Sequence, residues 1–264
     1  MNPRLSLSIA AALLVLGAAF LLLQPATTST PQVSVPSPPL TEPRSEPVDS
    51  DAFFILAVSW QPAFCETAPG KPECRSQSGD RFDATHFTLH GLWPRDEYCG
   101  VSARDEATDR DGRWSALPAP DLSSALRRDL ETAMPGTLSQ LDRHEWIKHG
   151  TCFPGDAEAY FAASLALLDQ LNASPVRELF AGNIGKRLTQ RQIRAAFDKG
   201  FGPGTGDSVR IACDDDGNRT LVTELTLGLW GTIDTAPDLA TLLAAANPTR
   251  GGCEGGIVDP VGLQ

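Results

Sequence analysis

At 264 residues and 41% hydrophobic content, the chain has room for one sizeable domain with appendages, or for two small ones. Its net charge of −11 argues against the broad basic footprint that grips duplex nucleic acid. If nucleic acid is the substrate, recognition must be local: a few cations at one phosphate, and rings on which bases stack.

The chain opens on a targeting segment. Arg4 precedes an almost unbroken apolar run, Leu5 to Leu23, longer than a usual signal core and barely long enough to span a bilayer. Residues 1–23 therefore read as a signal peptide or as an uncleaved N-terminal membrane anchor. Both readings place the remainder outside the cytoplasm, periplasmic or extracellular. Residues 24–50 read as a linker, because Pro25, Pro31, Pro36, Pro38, Pro39, Pro43 and Pro47 sit among Ser, Thr and Val and cannot bury a core. The folded domain is expected over 51–264, with no internal repeat and no second linker.

Phe53 to Trp60 is a continuous apolar run and reads as a buried strand. Phe87 to Leu89 reads as a short strand, with Thr88 sharing a face with His86 and His90 by alternation. Tyr98 to Trp114 is polar and charged, and is expected to be a loop. Asp121 is the expected N-cap of a helix through Ala133, stopped by Pro135-Gly136. A second helix carries His144 to His149, and a third spans Asp156 to Leu171. A fourth opens on the capping-box pattern Thr189-Gln190-Arg191-Gln192 and ends near Gly200. Ser208 to Cys213 and Arg219 to Trp230 read as strands joined by Asp214-Asp215-Asp216-Gly217-Asn218. Helices and strands mix without regular β-α alternation, which favours an α+β fold. The three consecutive Asp lack the alternating spacing of a calcium loop, so a hairpin turn is the better reading. Asn172-Ala173-Ser174 and Asn218-Arg219-Thr220 are glycosylation sequons, relevant only in a eukaryotic secretory route, and Pro175 disfavours the first.

All six cysteines, Cys65, Cys74, Cys99, Cys152, Cys213 and Cys253, lie beyond residue 60. An even count in an exported chain suggests three disulfides, against the alternative of free buried thiols. Spacing alone does not choose the connectivity. No C-x-x-C pair exists, which disfavours a zinc site.

Two strings carry the chemistry: Phe87-Thr88-Leu89-His90-Gly91-Leu92-Trp93-Pro94 and His144-Glu145-Trp146-Ile147-Lys148-His149-Gly150-Thr151-Cys152. They hold three of the four histidines. On a helix, Glu145, Lys148 and His149 share a face, His144 sits over Lys148, and Trp146 points toward the core. Imidazole suits proton transfer near neutral or mildly acidic pH, and Lys148 suits charge developing on a phosphoryl group. His144-Glu145 begins like the zinc-peptidase motif H-E-x-x-H, but the second His position is Lys148. His149 lies about 140° round the helix from His144, which disfavours a shared zinc. His86 is assigned no role and reads as structural or solvent-facing.

These strings resemble the two active-site segments of the ribonuclease T2 family, whose patterns centre on H-G-L-W-P and H-E-W-x-K-H-G-T-C. Phe53 to Cys65 and Pro72-Glu73-Cys74 are similar to the N-terminal part of bacterial members, so the resemblance runs from about Asp51 to the end. It implies a central antiparallel sheet flanked by helices, disulfide-stapled, with a cleft for RNA. It also implies an exported endoribonuclease cutting single-stranded RNA by metal-independent transesterification, through a 2′,3′-cyclic phosphate to 3′-phosphate ends.

Carried over by position, His90 matches the general acid and His149 the general base. Glu145 and Lys148 match residues that stabilise the transition state, His144 a phosphate-contacting histidine, and Trp93 an aromatic of the base pocket. Arg95, with Asp96 beside it, stands where the family often has an acidic residue that helps read the base. The implied disulfides are Cys99 to Cys152, Cys65 to Cys74 and Cys213 to Cys253. RNA is the expected partner and DNA is not, for it lacks the internal 2′-hydroxyl nucleophile. No cofactor or metal is expected, the protein is expected to be monomeric, and membrane contact would come only through an N-terminal anchor. The alternative is a non-catalytic secreted RNA-binding or interaction protein on the same scaffold.

Overall fold

The computed structural model describes residues 54–234 and 236–263, so the leader, the linker and the proposed domain start at Asp51 lie outside the described residues. The apolar run forms strand β1, Phe54–Ser59. Helix α1, Gln61–Thr67, follows with Pro62 in its first turn, where the missing N–H is not needed, and α2, Pro72–Arg75, is a single turn. Strand β2, Thr88–Pro94, carries the whole first string after Phe87 and is longer than the sequence alone suggests.

Tyr98 to Trp114 is not the loop expected. It contains helix α3, Ala103–Arg110, capped by the Ser102 hydroxyl on the Asp105 amide, followed by a 3-10 turn at Trp114–Ala116. The charged composition hides a surface helix whose start is set by its cap rather than by an apolar stripe. Helix α4, Ser124–Ala133, is capped by Ser123, not Asp121. Helix α5, Leu141–Lys148, bears the second string, and α6, Ala157–Asn172, is capped by Asp156 as expected. Helix α7, Pro175–Ala181, and the short strand β3, Arg187–Thr189, precede α8, Gln190–Phe201, where Thr189 and Gln192 form the full capping box. Strands β4, Val209–Asp216, and β5, Arg219–Leu229, form a hairpin. Its turn is only Gly217-Asn218, with Gly217 at φ 59°, so the three Asp lie in strand β4 rather than in the turn. Helix α9, Leu239–Ala245, and strand β6, Gly255–Ile257, complete the described elements.

The sheet runs β2-β1-β5-β6-β3, with β4 also pairing β5. It is antiparallel except where β6 meets β5 in parallel at Leu221 and Ile257. The fold is α+β with a mixed sheet, and the crossover through α9 is what permits the parallel pair.

Register divides the sheet into two faces. Phe54, Leu56 and Val58 on β1 share a face with Leu89 and Leu92 on β2 and with Leu225, Leu227 and Leu229 on β5. All are buried; α6 packs on β1 and β2, and its Phe161, Leu165 and Leu168 belong to the same core. The opposite face of the same strands carries Ile55 and Trp93 at one end and small or polar residues beyond them: Ala57 and Ser59, Thr88 and Gly91, Glu224 and Thr226.

Three disulfides join Cys65 to Cys74, Cys99 to Cys152 and Cys213 to Cys253, the pairs that the family resemblance implies. The second ties the segment after β2 to the end of the second string. Asn172 is buried, and its side chain accepts from the Phe87 amide and donates to the Phe87 carbonyl. It braces the entry to β2 and is not presented as a sequon.

Candidate active site

The first string delivers His90 through a β-bulge. Between β1 and β2 the pairing steps from Ala57–Gly91 to Val58–Leu89, leaving His90 as the extra residue of β2 in the register. A bulge re-aims its side chain, and here it sets His90 beside Gly91 and Trp93 on the small-residue face. Glu224 reaches the same place from β5: its carboxylate Oε2 lies 2.6 Å from His90 Nδ1.

Helix α5 lies over this face. Glu145 is fully buried on it, with Oε1 3.6 Å from His90 Nε2 and 3.9 Å from His144 Nε2. The Trp93 indole N–H donates to Glu145 Oε2 at 2.9 Å. A Cβ at residue 91 would collide with the Glu145 carboxylate and the Trp93 indole nitrogen, so glycine in the first string is what lets α5 close on β2. The helix ends at His149, whose amide donates to the Glu145 carbonyl. A Cβ at Gly150 would meet the Trp146 ring, so the chain can turn tightly there and leave His149 under the cluster. Its ring stacks on Trp93 at 5.4 Å and meets the His144 ring edge-on at 6.3 Å.

His144 is held from the segment after β2. Asp109 Oδ1 on α3 lies 2.8 Å from His144 Nδ1, and the Tyr98 hydroxyl donates to Asp109 Oδ2 at 2.9 Å. Trp114 stacks on the His144 ring at 4.5 Å. Lys148 lies at the rim, with Nζ 3.6 Å from Glu97 Oε1.

Burial sets the electrostatics. His149 is 5% exposed, and its Nδ1 has no hydrogen-bond partner among the described residues. Desolvation, helped by the charges of Lys148, His144 and His90, holds its pKa well below the ordinary 6.5. Burial raises Glu145 above the usual carboxylate range, opposed by His90, His144, the Trp93 hydrogen bond and Lys148. A neutral imidazole, an imidazole with a carboxylate on Nδ1, a buried carboxyl and an ammonium thus lie together in one cluster. That set can take a proton at one point and deliver one at another.

The family model described as Ribonuclease T2 family matches residues 51–238. Ribonuclease I of Escherichia coli (strain K12) is 30% identical over 224 residues, covering 76% of this chain and 82% of the relative. The chain belongs to the ribonuclease T2 family. It is a T2-type endoribonuclease. Ribonuclease 3 of Arabidopsis thaliana is 32% identical over 124 residues, covering 46% of this chain and 53% of that one. A solved structure of RNase NT in complex with 5′-AMP is 21% identical, covers 79% of this chain and 98% of that chain, and superposes with a TM-score of 0.49.

The ribonuclease brings His90, Trp93, His144, Glu145, Lys148 and His149 together from two distant strings. Trp93 lies inside the cluster, its N–H engaged by Glu145. Trp146 is half-buried against Tyr160, at 6.0 Å between rings, rather than fully in the core. His86 stacks on Phe82 at 4.5 Å and stays outside the cluster. Arg95 and Asp96 are exposed. Sequence reasoning missed Glu224, Asp109, Tyr98 and Trp114. Glu224 left one signal, as the sole charged residue in β5 after Arg219. The other three fall in the segment read as a loop.

Proposed function

We propose that this ribonuclease is an exported enzyme that cuts single-stranded RNA by metal-independent transesterification. His149, neutral, takes the proton of the ribose 2′-hydroxyl, and the 2′-oxygen attacks its own 3′-phosphate. His90, protonated, gives its Nε2 proton to the leaving 5′-oxygen. A 2′,3′-cyclic phosphate forms and the chain breaks; slower hydrolysis opens the ring to a 3′-phosphate. Glu145 lies between the Nε2 edges of His90 and His144 and balances charge as protons move. Lys148 stabilises the phosphoryl charge, His144 contacts the phosphate, and the half-buried Trp93 offers its ring to a base.

The observation that carries this reading is the asymmetry of the two imidazoles. His149 is buried with no partner on Nδ1 among the described residues, whereas His90 has a carboxylate on Nδ1. One ring is suited to being neutral and the other to being cationic, as acid/base catalysis requires. Three disulfides support an oxidising compartment, periplasmic or extracellular. Monomeric state and the fate of the leader, signal or anchor, belong to the same proposal.

The test is cleavage of RNA and of a matched DNA by the oxidised protein in EDTA, beside His149→Ala. Cyclic-phosphate ends from RNA alone, lost in the variant, are expected. No cleavage from mildly acidic to neutral pH would favour the non-catalytic binding protein instead. Activity only after metal is restored would overturn metal independence.

A further inference from the structure

We infer that Glu224 is a positioning residue for the reaction: it orients His90 and holds the ring ready to act as the acid. This rests on the transesterase reading above and adds to it a residue that neither string contains.

The sheet is built to make this contact. Glu224 pairs with Ser59 on β1, two strands away from β2. Between β4 and β5 the register steps from Ala212–Glu224 to Cys213–Val222, so Thr223 is a second bulged residue, next to Glu224. The His90 bulge lies in the β1–β2 pairing at Ala57/Val58, and the Thr223 bulge lies on the far side of β5, in its pairing with β4. Between the side chains that meet, β1 offers only Ala57 and Ser59, small enough for an imidazole and a carboxylate to close over them. The resulting separation of 2.6 Å is short, just under the range of about 2.7–2.9 Å usual for a charge-assisted N–H···O bond.

That bond fixes the ring chemistry. An acceptor at Nδ1 keeps a proton there, which makes Nε2 the working nitrogen, and Nε2 is the atom turned toward Glu145. When Nε2 gives its proton to the leaving oxygen, the ring becomes neutral and Nδ1–H remains bound to Glu224. No proton passes to Glu224. The charged and titratable groups seen against His90 include Glu224 from β5, Glu145 from α5 and His149 at its end, with His144 and Lys148 reaching the same Glu145 and His149; the Trp93 edge lies at 5.2 Å. Glu145 is shared with His144 and Trp93, whereas the Glu224 bond is directed to Nδ1 of His90.

Glu224→Ala and Glu224→Gln test this on two substrates: RNA, whose 5′-oxygen must be protonated to leave, and a nucleoside 3′-(4-nitrophenyl) phosphate, whose leaving group departs without a proton. On RNA, kcat/KM of Glu224→Ala is expected to fall about tenfold to a hundredfold, as for loss of a competent acid. The alkaline limb of its pH profile is expected to move down by about one pH unit, as for loss of an adjacent opposite charge. On the nitrophenyl ester the loss should stay within about threefold, by the same reasoning on acid catalysis. Glu224→Gln keeps an acceptor for Nδ1–H and should recover part of the rate at low pH while keeping the shifted limb. His90→Ala should show the same split between substrates, and His149→Ala should lose both. Equal losses on both substrates, or an unmoved alkaline limb, would make Glu224 merely structural and overturn the inference. A wild-type protein that leaves no cyclic phosphate would instead overturn the reading beneath it. Nitrogen NMR of His90 gives an independent readout: Nδ1–H in the wild type, and loss of that preference in Glu224→Ala.

Discussion

At the scale of single residues, the site works through burial of groups that water would otherwise hold at ordinary pKa values. His149 is neutral over a wider pH range than a free imidazole because its cation is desolvated and faces Lys148. The acid limb of kcat/KM on RNA, set by the proposed base, is therefore expected below pH 6.5. Lys148→Met removes one of the charges that depress His149, so that limb should move upward while kcat falls, which a pH–rate profile reads directly. The sign for stability runs the same way: as pH drops below 6.5, the unfolded chain takes up the His149 proton before the folded one, and the fold loses stability. Glu145 behaves oppositely. Its raised pKa means the fold disfavours its charge, so Glu145→Gln should raise the melting temperature at neutral pH. The same change should lower kcat about a hundredfold, in the range for losing one electrostatic contact to a transition state.

At the scale of elements, the site is held by the way β2, α5 and the segment between them are fastened together. Gly91 removes the side chain that would keep α5 off β2, and the Arg127–Asp142 ion pair, at 2.6 Å, anchors α5 to α4. The Tyr98 amide donates to the Lys148 carbonyl at 2.8 Å, and the Cys99–Cys152 disulfide lies beside it. This disulfide spans 53 residues and Cys65–Cys74 spans 9. Loop-closure entropy then puts the loss at about 4 kcal/mol for Cys99→Ser/Cys152→Ser and about 3 kcal/mol for Cys65→Ser/Cys74→Ser. Denaturant midpoints should rank the two in that order. The first double variant should also lose activity under conditions where it remains folded, because the fastening lies beside His149 and Lys148.

At the scale of the whole molecule, a second buried charge cluster ties the C-terminal segment to the sheet. Arg219, at the start of β5, meets Asp259 at 2.8 Å, Glu66 of α1 at 3.1 Å, and Asp216 across the hairpin turn. Asp259 is fully buried, and desolvation lifts its pKa from 3.8 to about 6, with Arg219 opposing and Glu66 adding to the rise. A raised folded pKa stabilises below 3.8, and that contribution is lost as pH climbs through about 6. Asp259→Asn keeps the shape without the charge. Its melting temperature should draw level with the wild type near pH 4 and exceed it by pH 7, a gain on the order of 2 kcal/mol by linkage. The net charge of −11 gives no general attraction for a polyanion.

The ribonuclease T2 strings were legible in sequence because proton-transfer chemistry needs particular side chains, and a short helix fixes how Glu145, Lys148 and His149 lie relative to one another. The apolar runs of β1 and β5 and the cap of α6 were legible for the same local reasons of periodicity and hydrogen bonding. Glu224 and Asp109 were not, because each meets its histidine across 134 and 35 residues of chain, and no local pattern encodes such a meeting. Nor did alternation reveal the bulge at His90, since a bulge exists only relative to a partner strand. Sequence by itself determined which groups could do the chemistry. Tertiary structure decided which imidazole is buried and which has a carboxylate behind it, because desolvation and charge pairing depend on neighbours that only the fold brings together.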